Sequence, residues 1–241
     1  MDGKKLSKDY LNRYKGHISL CEIDLQGQRA ITQGRVLIVG AGGLGSPVAL
    51  YLAAAGVGHI GIIDADTVSL SNLQRQIIHG TPDIGSPKVQ SAKNQMLRIN
   101  PEVEVQVYEQ FVTEENAREL FDGYDLVMDC TDNFDTRLLI SDTCVAMGLP
   151  YVFGGVTRFG GQVFTHLPGT SDLTTYFGRK GAEVTEPCVI TGILNTVVGV
   201  VGSLQATEAI KYLTRTGDLL TDRILTFDAI TMTFETFAVE K

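Results

Sequence analysis

The chain has 241 residues, 44% of them apolar, and a formal net charge of -8. That is enough for one large domain or two small ones with a real core. The acidic balance argues against nucleic acid or an anionic membrane as the main partner. Cys21, Cys130, Cys144 and Cys188 show no CxxC spacing. Neither a disulfide framework nor a structural zinc is therefore expected, and a reducing, cytoplasmic setting is the default. The first residues, MDGKKLSKDYLNRYKGH, lack the apolar core of a signal peptide.

In chain order, Asp9 to Ala30 reads as helical in pieces. Such an arm is stable only when packed on the core or on a second subunit. Arg35 to Asp66 follows, RVLIVGAGGLGSPVALYLAAAGVGHIGIIDAD. Val36 to Val39 is an apolar strand, and Gly40, Gly42 and Gly45 have the spacing GxGxxG. A small-residue helix, Leu44 to Ala55, leads to a second strand, Ile60 to Ile63. That strand ends on Asp64, about 20 residues past the glycines. Strand, glycine turn, helix, strand and acid form the dinucleotide-binding arrangement. Its glycines let backbone N–H groups approach a phosphate at a helix N-terminus. The pattern selects a nucleotide without naming it; the alternative is a tight turn that holds no ligand.

A polar loop, TVSLSNLQRQIIHG, and the turn TPDIGSPK precede a helix from Lys88 to Leu97. Glu102 to Tyr108 alternates as a strand. Thr113 to Phe121 reads as a helix with a threonine N-cap. Asp125 to Cys130 is a buried strand closed by Thr131-Asp132-Asn133, followed by a helix to Met147 and the strand Tyr151 to Val156. Strands alternating with helices predict a doubly wound parallel sheet. The order then changes: a strand from Gly161 to Leu167, a polar crossover from Pro168 to Pro187, a helix from Asn195 to Leu213, and a hairpin of Arg223–Asp228 with Thr233–Val239. The expected fold class is α/β, a Rossmann-like sheet continued by antiparallel strands. Residues 1–241 form one domain, with an arm (1–34), a nucleotide-binding half (35–156) and a second half (157–241). Cys188 to Thr207 is uncharged but broken by Thr191, Asn195, Thr196, Ser203 and Gln205. A loop and a buried helix fit it better than a membrane span.

In such sheets the ligand sits beyond the carboxyl ends of the strands. Gly40–Gly45, Asp64 with Asp66, Asp132 with Asn133, and Gly154-Gly155 arrive there. Ser71 to Gln76 and Lys88 follow closely enough to join them. Glycine amides, an arginine, a lysine and a carboxylate suit a triphosphate with Mg2+ better than a redox dinucleotide. No histidine falls at a predicted strand end; His17, His59, His79 and His166 lie elsewhere.

The segments from GAGGLGSP to SNLQRQ, then GSPKVQSAK, RINP, DLVMDCTDN and VGVVGSLQATEAIK, strongly resemble the MoeB/ThiF/HesA group, bacterial relatives of ubiquitin-activating enzymes. The similarity runs from about Arg13 to the last strand. It implies a homodimer that spends ATP to adenylate the C-terminal glycine of a ubiquitin-like sulfur carrier ending in Gly-Gly, ThiS- or MoaD-like, for thiamine or molybdopterin biosynthesis. Nucleic acid and membrane are not expected partners. The carrier's carboxylate is already ionised at neutral pH, so the reaction needs orientation and charge neutralisation rather than a general base.

Carried over residue by residue, the resemblance implies that Asp64 binds the ribose and Gly43 lies against the nucleotide. Ser71, Asn72, Leu73, Gln74 and Arg75 line the phosphate and adenine region, Arg75 and Lys88 hold phosphates, and Asp132 holds Mg2+ beside Asn133. Arg75 also reads as a solvated ion pair, Lys88 as a helix-start surface charge, and Asp132 as a helix N-cap. Cys188, in EPCVITG, matches a cysteine that can take the carrier covalently; the alternative is a small buried hydrophobe. Gly154 to Gly161, GGVTRFGG, offers room for an extended glycine tail, or is simply a corner between strands.

The family pattern fails in two places. Relatives carry two CxxC pairs that hold zinc; here SDLTTYFGRKG and TFAVEK contain no cysteine. The relatives' RYxRQ becomes RYKGH, so an arginine that reaches the partner subunit's ATP is replaced by Gly16. Unless Arg13 or Lys15 substitutes, a charge contact worth about 10²–10³ in rate is missing. A catalytically weakened scaffold of the same family is therefore the second reading, and a nicotinamide oxidoreductase the third.

Overall fold

The structure is a computed structural model and describes residues 7–179 and 192–239. Cys188 and the end of the crossover lie outside the described residues.

The strands β1 (Arg35–Val39), β2 (His59–Ile63), β3 (Glu104–Tyr108), β4 (Leu126–Asp129), β5 (Tyr151–Thr157), β6 (Gly160–His166), β7 (Arg223–Asp228) and β8 (Thr233–Ala238) form one sheet, ordered β3-β2-β1-β4-β5-β6-β7-β8. The first five pair in parallel; from β5 to β8 every pairing is antiparallel. The predicted fold class holds. In register, Val39 pairs with Ile63 and Asp129, and Ile63 pairs with Tyr108. The loops after β1, β2, β3 and β4 therefore leave the sheet along one rim.

Side chains alternate across a strand, so each strand feeds two cores. Val36, Ile38, Ile60, Ile62 and Met128 point to a layer built from α3 (Asp24–Gln33), α4 (Gly45–Ala55), α5 (Lys88–Ile99) and α9 (Asn195–Thr214). Leu37, Val39, Ile63, Val127, Phe153 and Phe164 pack against α6 (Ala117–Phe121), α7 (Phe134–Met147) and α8 (Leu173–Phe177). Strands covered on both faces read as unbroken apolar runs, which is why β1, β2 and β4 were legible.

The arm, α1 (Lys8–Arg13), α2 (Lys15–Ile18) and α3, docks on its own chain. Asn100 Nδ2 donates to the hydroxyl of buried Tyr14 at 2.8 Å and to the Ala53 carbonyl at 2.9 Å. Arg13 donates to the Ile99 carbonyl at 3.1 Å. Lys15 is exposed and has no ion-pair partner among the described residues.

Most element ends fall within a residue or two of expectation. One start moves further: α6 begins at Ala117, not Thr113. Asn116 accepts from the Thr113 N–H at 2.8 Å and donates to the Phe111 carbonyl at 2.9 Å, which closes a turn where the helix was expected to begin.

At the start of the crossover, hydroxyl and carboxylate groups hold the chain. Ser171 donates from N–H and Oγ to Asp222, both at 2.8 Å, and Asp172 with Thr175 forms a reciprocal cap on α8. Among the described residues there is no group of three or more metal-ligating side chains, and no helix is long and apolar enough to cross a membrane.

Candidate nucleotide cleft

A cleft of about 800 Å³ opens at the rim where β1, β2, β3 and β4 end. Its floor is the glycine turn. Gly40 has φ +100, and a Cβ there would lie 2.7 Å from the Cys130 carbonyl oxygen; a Cβ at Gly45 would overlap the Gly40 carbonyl. Only glycine lets the turn close this tightly on the end of β4.

Asp64, at the end of β2, accepts from the Ala41 N–H and the Asp66 N–H, each at 2.8 Å. Burial raises its pKa, and Lys88 nearby pulls it back. From Asp66 the chain makes a long excursion and returns at Lys88. The Lys88 N–H donates to the Asp66 carbonyl at 2.9 Å, and its Nζ donates to Asp66 Oδ2 at 2.7 Å. The Lys88 side chain is only 7% exposed. It is not a surface charge at a helix start, as one reading of the sequence had it; it is a buried ammonium held in the cleft wall.

Within the excursion, Leu70–Asn72 forms a short 3-10 turn capped by Ser69 and Asn72. Arg75 donates to the Ser71 carbonyl at 3.3 Å and has no carboxylate partner among the described residues. Among the described residues the ion-pair alternative for Arg75 finds no partner.

At the end of β4, Thr131 is held on all its polar atoms. Its N–H and hydroxyl donate to Asp129 at 3.1 and 2.7 Å, and its carbonyl accepts from Arg137 at 2.8 Å. Arg137 also reaches the Gly154 carbonyl at 3.3 Å, tying β4 to β5. Asp129 is fully buried, and burial raises its pKa. The following Asp132 is exposed and makes no hydrogen bond among the described residues. The cap of α7 is Asn133, which accepts from the Thr136 N–H at 2.9 Å. The N-cap reading of Asp132 is corrected accordingly.

The structure thus gathers Gly43, Asp64, Ser71, Gln74, Arg75, Lys88, Asp132 and Asn133 around one cleft. Asn72 and Leu73 are not in its wall. Asn72 turns its carboxamide oxygen back to the Ser69 N–H at 3.1 Å, which explains its absence. Cys188 lies outside the described residues. Two groups in the wall went unforeseen: Gln110, Phe111 and Val112 after β3, and Ile193 with Val198 from the second half. The strand-end argument, extended one loop beyond Tyr108, would have found Phe111. Nothing local marks Val198, which arrives through the packing of α9. Cys130 also borders the cleft, but burial and then Asp129 hold its thiol well above the usual range, so it is no thiolate nucleophile.

A second cavity, of about 660 Å³, lies beside the first and shares Val156 with it. Arg137, Phe153, Gly155, Gly161 and Phe177 are in its wall.

A glycine turn, two cations and a carboxylate on the rim of a doubly wound sheet define a Rossmann-type fold with a candidate nucleotide site. The chain belongs to the ThiF family, whose pattern matches residues 14–241. It is 42% identical over 98% of its length to a probable adenylyltransferase/sulfurtransferase, MoeZ of Mycobacterium tuberculosis, and spans 62% of that protein. It is 43% identical over 96% of its length to the SAMP-activating enzyme E1 of Haloferax volcanii, and spans 86% of it. Among solved structures, E. coli MccB with MccA superposes with a TM-score of 0.84 at 20% identity, covering 98% of this chain and 73% of that one. PaaA superposes at 0.83 and 23% identity, covering 100% and 77%. These structures share the fold.

Proposed function

We propose that this protein is an ATP-dependent adenylyltransferase acting on the C-terminal glycine of a ubiquitin-like sulfur-carrier protein, ThiS- or MoaD-like, as a cytoplasmic homodimer. The observation that carries the reading is the placement of Arg75, buried Lys88 and exposed Asp132 around one glycine-floored cleft. The names of the MoeZ and SAMP-activating relatives support it.

In this reading the glycine turn supplies N–H groups to the phosphates, and Asp64, beside it, takes the ribose hydroxyls. Lys88 and Arg75 neutralise the triphosphate, so that the anionic carrier tail can approach the α-phosphorus. The tail's carboxylate bonds to that phosphorus, and pyrophosphate leaves with the electron pair of the broken P–O bond. Asp132, with Asn133, fits a Mg2+ site: it is an exposed carboxylate with no partner among the described residues, and Mg2+ is usually held by one or two carboxylates together with substrate phosphates. Bound there, the ion would offset the charge of the leaving pyrophosphate. The glycine-lined cavity beyond Val156 gives an extended Gly-Gly tail a path to the nucleotide. Cys188 would then be the residue that takes the carrier covalently.

ATP–pyrophosphate exchange, run with ThiS- and MoaD-like carriers in turn, tests the proposal. Exchange that needs one carrier, and falls by about 10²–10³ in Asp132→Ala, is expected. Tight ATP binding without exchange would favour the scaffold reading, which the engagement of Arg13 with Ile99 supports. NADH binding in place of ATP would replace both.

A further inference from the structure

The backbone of Ala41, at the centre of the glycine turn, is gripped at both polar atoms by side chains from outside the turn. Its N–H donates to Asp64 at 2.8 Å. Its carbonyl meets Nε2 of His79 at 2.9 Å. A carbonyl can only accept, so Nε2 carries the proton and Nδ1 accepts from the Ser91 hydroxyl, 2.8 Å away. Ala41, His79 and Ser91 are all buried, and no described backbone N–H donates to the Ala41 carbonyl. Burial lowers the pKa of His79, with Lys88 adding to the effect, which favours the neutral ring this pattern requires.

The peptide unit joining Ala41 to Gly42 is planar and trans, so its C=O and N–H point in opposite directions. A carbonyl directed at His79 turns the Gly42 N–H the other way. Gly42 lines the cleft, and its N–H has no partner among the described residues. We infer that His79 is a positioning residue for the nucleotide: by fixing the Ala41 carbonyl it aims the Gly42 N–H at a phosphate oxygen. Asp64 fixes the preceding peptide unit in the same way, so the turn is set before ligand arrives. The inference rests on the nucleotide reading given above and adds to it a residue that never touches the ligand. It also gives the last part of SNLQRQIIHG a task distinct from that of Arg75.

The test uses Mg·ATP as probe, with binding measured by calorimetry and backbone amide exchange followed over residues 40–45. Removing the donor leaves a buried carbonyl unsatisfied, so His79→Leu should weaken ATP binding about tenfold and speed amide exchange at Gly42. His79→Gln places an amide N–H near the position of Nε2 and should bind within about threefold of wild type. In carrier-dependent exchange the loss should fall on the KM for ATP, with kcat nearly unchanged, as expected for uniform binding. A folded His79→Leu protein with unaltered affinity and amide exchange would overturn the inference. So would a folded His79→Gln protein as weak as the leucine variant, which would reduce His79 to packing. If His79→Leu does not fold, a His79→Gln protein within about threefold of wild type supports the inference and one about tenfold weaker overturns it. A wild-type protein that binds no ATP overturns the nucleotide reading itself, and the positioning role with it.

Discussion

The two halves of the sheet are built on different terms. In β1, β2 and β4 nearly every residue is buried, and each strand ends in a loop that carries a charged or glycine-rich segment to the cleft. In β8 all six residues are exposed, and Phe234 and Phe237 stand about half in solvent. The central strands of the parallel half, β1, β2 and β4, are covered on both faces and offer only their rim. The antiparallel half leaves a strand edge and one cavity open beside the rim. A small rigid ligand suits the first and a flexible chain the second, and this division is what the experiments below can sharpen or break.

The largest effect is expected in the parallel half. Lys88→Met keeps most of the unbranched apolar stem and removes the buried ammonium. Exchange should fall about 10²–10³-fold, and the measured affinity for ATP should fall with it. Next comes Asp129, on which the β4 rim depends. Asp129→Ala removes the acceptor of the Thr131 N–H and hydroxyl and the carboxylate charge that faces Arg137, and urea unfolding should show a loss of about 2 kcal/mol. Asp129→Asn, which keeps an acceptor for Thr131, should lose much less.

A smaller effect is expected in the antiparallel half. Phe177 lines the second cavity beside Phe153, with ring centroids 5.5 Å apart. In Phe177→Ala the KM for the carrier should rise about tenfold, typical of one lost apolar anchor, while ATP affinity stays unchanged. Equal losses for both ligands would erase the division between the halves.

The smallest effect is a pH dependence. His79 has a folded pKa below its ordinary 6.5. The unfolded chain therefore binds the proton more readily, and the stability His79 contributes is present above pH 6.5 and lost as pH falls through the folded value. Between pH 7 and pH 5, wild type should lose more stability than His79→Gln, read as the difference between their urea midpoints.

Much of this architecture could be read from the residues, for a physical reason. Runs such as Val36–Val39 and Leu126–Asp129 owe their composition to burial on both faces, and burial leaves a local trace. The same is true of the glycine turn, whose spacing is dictated by the closeness of Gly40 to Cys130 and of Gly45 to Gly40. What could not be read are choices between competing partners. Thr113 and Asn116 both suit a helix start, and the side chain of Asn116 decides by closing a turn with Phe111. Lys88 reads as an ordinary helix-start charge until the loop from Asp66 folds back on it. Asp132 and Asn133 are equally good caps on paper, and the bond from Thr136 assigns the cap to Asn133. Val198 reaches the cleft from a helix more than half the chain away from the glycine turn, and no local pattern announces it.

The central claim is that the parallel rim clasps a metal-bound triphosphate. A crystal structure with Mg2+ and a non-hydrolysable ATP analogue tests it most directly. The account predicts Lys88 Nζ and the Arg75 guanidinium on phosphate oxygens, the Gly42 N–H directed at the nucleotide, and Asp132 on the metal or its water shell. An analogue bound elsewhere, or one bound in the cleft with Lys88 still closed on Asp66 and Asp132 turned to solvent, would contradict it.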